Sequence, residues 1–155
     1  MLDVGDTPEN FELSNQAGEP VVWADFRGKP VVVFFYPKAS TPGCTTEACA
    51  FTDLSKDFAE RGVAIVGMSA DTVKRQSNFA TKYSLSMPLL ADIEKEVLEA
   101  WGVWGEKKNY GRTYMGIHRS TFLFDKDGTV TFAWPKVRVK GHAEAVLAKV
   151  DELEA

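Results

Sequence analysis

The chain has 155 residues, of which 45% are hydrophobic and 26% charged, as expected for one globular domain with its own core. Its net charge of −4 argues against nucleic acid or an anionic membrane as the main partner. No apolar run approaches the roughly 18 residues of a membrane span. The N-terminal MLDVGDTPENFEL lacks the apolar core of a signal peptide, which predicts a cytoplasmic protein.

The first predicted element is a β-hairpin in which NFEL and VVW flank the turn SNQAGEP. Next, VVVFFY at residues 31–36 is β-branched and aromatic without alternation, which predicts a strand buried on both faces. A helix is expected over residues 41–61, because Phe51, Leu54 and Phe58 form one apolar stripe.

The middle of the chain alternates between predicted strands and helices. VAIVGMSA reads as a second buried strand, and Asp71 is the expected N-cap of the helix in DTVKRQSNFATKYS. MPLLAD predicts a short strand, and IEKEVLEAWGV a helix that ends near Gly102. Residues 105–118 are polar and contain glycine, which predicts a loop.

The C-terminal part predicts a second hairpin and a last helix. STFLF and VTFAW bracket the turn DKDG, and HAEAVLAKVDELEA has one apolar face. This order of elements predicts an α/β protein with a thioredoxin-like fold. We expect a central mixed β-sheet flanked by helices, an N-terminal β-hairpin extension, and a single domain over residues 1–155.

Both cysteines of the chain lie in one stretch, YPKASTPGCTTEACAFTDL. Cys44 follows a buried strand and falls in the first turn of the predicted helix, where Thr41 suits the N-cap and Pro42 the first position. Free N–H groups and the helix dipole favour a thiolate there, and the thiolate is the reactive form of cysteine. Cys44 is therefore a candidate nucleophile, with a buried core cysteine as the alternative.

Cys49 follows Cys44 by five residues, which is neither a C-x-x-C motif nor a zinc pattern. In an ideal helix the two Cα atoms would be roughly 8.7 Å apart, whereas a disulfide needs about 4.4–6.8 Å. Either the two thiols never bond, or the first turns of the helix unwind when they do.

The stretch FYPKASTPGCTTEAC resembles the peroxidatic site of the peroxiredoxins, whose signature Pro-x-x-x-Thr-x-x-Cys corresponds to Pro37, Thr41 and Cys44. The Cys-x-x-x-x-Cys pair is similar to the bacterioferritin comigratory protein, or peroxiredoxin Q, subgroup of this AhpC/TSA-like family. The resemblance continues through GVWGEKKNYGRTYMGIHRSTFLFDKDG, which places Arg119 where the family keeps its active-site arginine. Tyr114 and Met115 are a departure within a variable segment.

The resemblance implies a thioredoxin-dependent peroxidase of the atypical 2-Cys type, active in antioxidant defence. Cys44 would attack the peroxide and become a sulfenic acid, and Cys49 would resolve it as an intramolecular disulfide. Thr41 would hydrogen-bond the thiolate and the peroxide. Arg119 would stabilise the thiolate and the leaving oxygen, and Pro37 would shield the site from water.

The other ionisable residues of interest are Glu47 and the two histidines. Glu47, one helical turn after Cys44, is an auxiliary candidate that would orient Arg119 or relay a proton, although its charge opposes thiolate formation. We expect His118 to be exposed and His142 to face solvent at the start of the last helix. The two histidines lack the spacing of a metal site.

The expected partners are a peroxide and thioredoxin or a similar dithiol reductant, with no cofactor, metal, nucleic acid or membrane. The subgroup is often monomeric, so we expect a monomer, with a weak dimer as the alternative. Two other functions are open: a thioredoxin-like disulfide oxidoreductase, and a redox-sensing or holdase module that uses the same cysteine pair as a switch.

Overall fold

The computed structural model describes residues 1–154 and has five α-helices and nine strands among them. The strands are β1 Glu12–Ser14, β2 Pro20–Val22, β3 Val31–Phe35, β4 Ala64–Ser69, β5 Leu89–Ala91, β6 Trp104–Asn109, β7 Arg112–Ile117, β8 Ser120–Phe124 and β9 Val130–Trp134. The helices are α1 Pro42–Asp53, α2 Ser55–Glu60, α3 Val73–Tyr83, α4 Glu96–Ala100 and α5 His142–Glu154, with a 3-10 turn at Trp23–Phe26.

Seven strands form one mixed sheet in the order β2-β1-β5-β4-β3-β8-β9. Strands β3, β4 and β5 run parallel, whereas β8 pairs antiparallel with β3. The predicted N-terminal hairpin β1–β2 is confirmed and joins the sheet through β5. Helices cover the sheet, which confirms the thioredoxin-like α/β fold.

Strand β3 lies in the interior of the sheet, between β4 and β8, and is buried on both faces, as predicted. Val32 and Phe34 pack with Phe51 of α1 on one face. Val33 and Phe35 pack on the other face, in the cluster that contains Trp23 and Trp101. Side chains alternate across a strand, so a continuous apolar run fills both cores.

The helix predicted over residues 41–61 is interrupted at Leu54, whose φ of −98° and ψ of 6° are not helical. Thr52, Asp53 and Ser55 surround the break, and all three are weaker helix formers than alanine or leucine. The sequence therefore forms two helices, α1 and α2, that follow each other directly.

Two other boundaries differ from the predictions. The N-cap of α3 is Thr72, whose side chain accepts a hydrogen bond from the N–H of Arg75 at 3.2 Å, and not Asp71. Helix α4 is shorter than predicted, because Lys95 before it has a left-handed φ of 61°. Helix α5 is confirmed as far as it is described; its predicted last residue, Ala155, lies outside the described residues.

The loop predicted over residues 105–118 is wrong. This segment forms the antiparallel pair β6–β7, with its turn at Tyr110 (φ 50°) and Gly111 (φ 77°). Two consecutive positive φ values are those of a type I′ turn, which suits a two-residue hairpin. Most of both strands is exposed or half-buried, so no apolar alternation marks them in the sequence.

Candidate active site

Cys44 lies in the first turn of α1, as predicted, and its side chain is buried at 1% exposure. Strand β3 ends at Phe35, and a short turn then leads to Thr41, the extended N-cap residue of α1. Pro42 occupies the first helical position, where its missing N–H is not needed. The thiol therefore lies among the free N–H groups at the positive end of the helix.

Arg119 brings a positive charge to this thiol from a distant part of the chain. It immediately precedes β8, and β8 pairs with β3 so that Ser120 lies opposite Phe35. This register places Arg119 beside the start of α1. Its Nη2 donates to Cys44 Sγ at 3.4 Å, and its Nη1 donates to Glu47 Oε1 at 2.7 Å.

The pKa values of Glu47 and Arg119 are shifted by burial and by neighbouring charges. Burial raises the pKa of Glu47 to about 7, although the charge and hydrogen bond of Arg119 act in the opposite direction. Burial alone would lower the pKa of Arg119, but Cys44 and Glu47 raise it. The second carboxyl oxygen of Glu47, Oε2, is buried without a hydrogen-bond partner. A carboxyl in this setting can hold a proton near neutral pH.

Gly43 gives the Arg119 side chain room to lie over the first turn of α1. A Cβ at this position would be 3.2 Å from Nη2 of Arg119. Gly43 has no Cβ, and this absence lets the guanidinium of Arg119 approach the backbone between Pro42 and Cys44.

Cys49 lies in the same helix, is half-buried, and is not bonded to Cys44. Its pKa is raised by burial and by the charge of Asp53. While α1 is intact, the helical geometry keeps the two Cα atoms roughly 8.7 Å apart, too far for a disulfide.

Thr41 and Pro37 both lie in the turn before Cys44. The hydroxyl of Thr41 donates to the carbonyl oxygen of Lys38 at 2.7 Å, so it would have to rotate to donate to a thiolate or a peroxide. Pro37 is half-buried. Their predicted roles stay predictions.

Comparison with known proteins shows the family of this chain. The model of the AhpC/TSA family matches residues 4–133. The peroxiredoxin Bcp of Bacillus subtilis is 43% identical over 152 residues, covering 98% of this chain and 97% of that protein. The chain belongs to the AhpC/TSA family.

Solved structures of peroxiredoxins support the same assignment. A mutant of PrxQ from Xylella fastidiosa superposes with a TM-score of 0.95 at 33% identity, covering 100% of this chain and 99% of that one. The bacterioferritin comigratory protein of Xanthomonas campestris, studied for its alkyl peroxide reduction activity, gives a TM-score of 0.89 at 41% identity, with coverages of 94% and 92%. This peroxiredoxin is therefore a thiol-dependent peroxidase.

Lys107 near the peroxiredoxin site was missed by sequence reasoning, because its segment was predicted to be a loop. Its Nζ donates to the carbonyl oxygen of Ile117 at 2.9 Å, and its stem crosses Gly116. Burial and the charge of Arg119 lower the pKa of Lys107, while Cys44 opposes this change. The hairpin β6–β7 thus contributes a cation to the surroundings of the site.

Both expectations about histidine were wrong. His142 is buried, with its Nε2 2.7 Å from Oγ1 of Thr121 and its ring edge-on to Phe51 of α1. Burial lowers the pKa of His142 to about 4, and the charge of Arg119 adds to this effect. His118 is half-buried rather than exposed. The burial of His142 arises from packing between α5 and α1, which no local pattern encodes.

Residues 1–154 contain neither a group of three potential metal ligands nor a helix that could span a membrane. No three His, Cys, Asp or Glu side chains in that part of the chain are grouped so that they could ligate a metal ion. Its helices are all too short or too polar to span a membrane.

Proposed function

We propose that Cys44 is the peroxidatic cysteine. Its thiolate attacks the distal oxygen of a hydroperoxide, the O–O bond breaks, and Cys44 becomes a sulfenic acid. The departing oxygen takes up one proton and leaves as water or an alcohol. The contact of 3.4 Å between Arg119 Nη2 and Cys44 Sγ carries the proposal, because this fixed cation can stabilise both the thiolate and the developing charge.

The other motif residues support the same step. Thr41 donates to the thiolate or the peroxide after its hydroxyl rotates, and Pro37 limits the access of water. Glu47 holds the guanidinium of Arg119 in place through its bond of 2.7 Å. Because the pKa of Glu47 is raised to about 7, this carboxyl is also suited to exchange a proton with the site.

We further propose that Cys49 resolves the sulfenic acid. The Cys49 thiol attacks the sulfur of Cys44, a water molecule leaves, and an intramolecular disulfide forms. Helix α1 has to unwind for this step, because its geometry separates the two residues. Until then Cys49 stays a protonated thiol, consistent with its raised pKa.

The cycle closes when thioredoxin or a similar dithiol reduces the disulfide through a mixed disulfide. We propose hydrogen peroxide and organic hydroperoxides as substrates; the alkyl peroxide activity of the Xanthomonas campestris relative supports the second class. We also propose that residues 1–155 act as one monomeric domain, and that the reducing cytoplasm supplies the reductant.

The test is the intact mass of the reduced protein after one equivalent of hydrogen peroxide. Loss of roughly 2 Da within seconds is expected, because it reports a disulfide within one chain. Cys49→Ser should instead gain roughly 16 Da, and Cys44→Ser should not react on this timescale. Reaction of Cys44→Ser at the wild-type rate would overturn the assignment of the nucleophile.

The same experiment separates the peroxidase from the two alternative functions, because both alternatives predict a slow reaction with peroxide. A disulfide oxidoreductase would show rapid exchange with a dithiol but slow reaction with peroxide. A redox sensor would react with peroxide slowly and change partners between its two redox states. The family of the chain favours the peroxidase over both.

A further inference from the structure

The turn between β3 and α1, residues 37–41, has a constrained backbone. The carbonyl oxygen of Lys38 accepts hydrogen bonds from the N–H of Thr41 at 3.4 Å and from its hydroxyl at 2.7 Å. Ser40 has a φ of 66°, in the left-handed region that residues with a Cβ adopt infrequently. A turn of this kind needs support from its surroundings to keep one conformation.

One side chain outside the turn supplies that support. The N–H of Ala39 donates to Oδ2 of Asp71 at 2.8 Å. Among residues 1–154, this is the hydrogen bond that joins residues 37–40 to a distant segment. Asp71 follows β4 and lies nearby because β3 and β4 are parallel neighbours that end at the same edge of the sheet.

The carboxyl group of Asp71 is itself held in a buried network. Ser69 donates to the same Oδ2 at 2.7 Å and accepts from Nε2 of Gln76 at 2.9 Å. Oε1 of Gln76 accepts from the hydroxyl of Tyr36, the residue just before the turn. Ser69, Gln76 and Tyr36 are all fully buried. The turn is thus held at Tyr36 and at Ala39 by one satisfied network, which rigidifies it.

Other interactions of Asp71 do not account for its burial. Thr72 caps helix α3, so Asp71 is not needed for that purpose. Arg75 Nη1 is 3.8 Å from Asp71 Oδ1, but the Arg75 side chain is 61% exposed, and such pairs contribute little to stability. The two hydrogen bonds to Oδ2 are the interactions that remain.

We propose that Asp71 is a positioning residue for the peroxidase reaction. By accepting from Ala39, it fixes the turn that carries Thr41 and leads into Cys44, and so it aligns both with Arg119 across the sheet. Asp71 makes no hydrogen bond to Cys44 and acts only through the turn. Misplacement of reacting groups by about 1 Å can slow a reaction about 10²-fold, so this support affects the rate. The inference rests on the proposed role of Cys44.

Three variants test this proposal. Asp71→Ala removes the acceptor, and Asp71→Asn keeps an oxygen that can accept from both Ala39 and Ser69. Arg75→Ala is the matched control, because it removes the ion pair and leaves the turn intact. For each reduced protein, we would measure the second-order rate of Cys44 oxidation by hydrogen peroxide in a stopped-flow instrument. The rate of Cys44 alkylation by iodoacetamide would be followed by mass spectrometry.

The expected result is a rate with peroxide that falls about 10-fold or more in Asp71→Ala, while the alkylation rate stays within about twofold. The alkylation rate depends only on the reactivity of the Cys44 thiolate. Peroxide reduction also needs the hydrogen-bond donors Thr41 and Arg119 in their correct positions. Asp71→Asn should restore the peroxide rate to within about threefold of wild type, and Arg75→Ala should match wild type.

The proposal is overturned if folded Asp71→Ala reduces peroxide as fast as wild type, or if Asp71→Asn is as slow as Asp71→Ala. If Asp71→Ala does not fold, Asp71→Ser replaces it, since its shorter polar side chain cannot place an acceptor at the position of Oδ2. A wild-type peroxide rate in that variant overturns the proposal, and a selective loss supports it. Failure of wild-type Cys44 to react with peroxide would instead contradict the proposed function.

Discussion

Nη1 of Arg119 lies 2.7 Å from Oε1 of Glu47, whose side chain is 1% exposed. The buried carboxyl occupies one arm of the guanidinium and directs the other arm toward the sulfur of Cys44. The two contacts need the planar guanidinium with its two separate amino groups, because the single ammonium group of a lysine cannot make both contacts in these directions.

Arg119→Lys should therefore slow the oxidation of Cys44 by peroxide about 10²-fold while it preserves the positive charge. The measurement is the second-order rate constant by stopped flow. Arg75→Lys is the matched control, since the same exchange at an exposed position should change nothing. A rate within about threefold of wild type for Arg119→Lys would mean that charge alone is sufficient.

Gly43→Ala should separate activity from stability. The added Cβ would lie 3.2 Å from Nη2 of Arg119, so the guanidinium must shift by a few tenths of an ångström. We expect the peroxide rate to fall several-fold. The free energy of unfolding should stay the same or rise by up to about 1 kcal/mol, because alanine is the better helix former. Urea unfolding and stopped-flow kinetics on one preparation test both parts, and an unchanged rate would show that Arg119 adapts without loss.

Glu47→Gln should change how stability depends on pH. The pKa of Glu47 rises from 4.5 to about 7 on folding, so the folded state binds the extra proton between these values. Its contribution to the free energy of unfolding is full below pH 4.5 and is lost as the pH rises through 7, by about 3 kcal/mol. Relative to wild type, Glu47→Gln should gain that amount between the two pH values in urea unfolding. Parallel curves would contradict the raised pKa.

His142→Gln should have the opposite effect. The pKa of His142 falls from 6.5 to about 4 on folding, so the unfolded state binds the extra proton in between. Its contribution is full above pH 6.5 and is lost as the pH falls toward 4, again by about 3 kcal/mol. The variant should therefore lose less stability than wild type on acidification. In wild type, Glu47 and His142 give the free energy of unfolding pH dependences of opposite sign, which nearly cancel. Glu47→Gln should therefore show the pH dependence due to His142, and His142→Gln the one due to Glu47.

Trp134 should report the unwinding of α1. The centre of its ring is 5.6 Å from that of His142. The His142 ring in turn lies 5.9 Å, centre to centre, from the ring of Phe51 in α1. Movement of Phe51 on oxidation would change the surroundings of both rings. We expect Trp134→Phe to lose most of the change in tryptophan emission on oxidation. Trp104→Phe, in the other core cluster, should keep it. An equal change in both variants would place the reporter elsewhere.

The first turn of α1 could be predicted from sequence because the signals there are local. Thr41 and Pro42 have strong positional preferences, and the apolar run before them marks a buried strand. The position of Cys44 followed directly. Arg119 could not be found in this way, since only the register of β8 against β3 brings it to the site, and it came from the family resemblance.

Other features depend on tertiary contacts or on exposed strands. The hairpin β6–β7 has no buried face along most of its length, so period-2 patterning is absent, and the Tyr110–Gly111 turn was the one signal that could have revealed it. His142 is polar and begins a helix, which is usually an exposed position. Its burial depends on Thr121 and Phe51, which are distant in sequence.

The break at Leu54 has a consequence for redox poise in the proposed cycle. In that cycle the break would confine the unwinding that joins Cys44 to Cys49 to α1, and Phe58 of α2, which is fully buried in the core, would keep its place. The free energy of unwinding destabilises only the oxidised form, so each 1.4 kcal/mol raises the reduction potential of the pair by about 30 mV. Within the proposed cycle, the stability of the twelve-residue helix α1 would therefore set how readily a dithiol reductant reduces the disulfide.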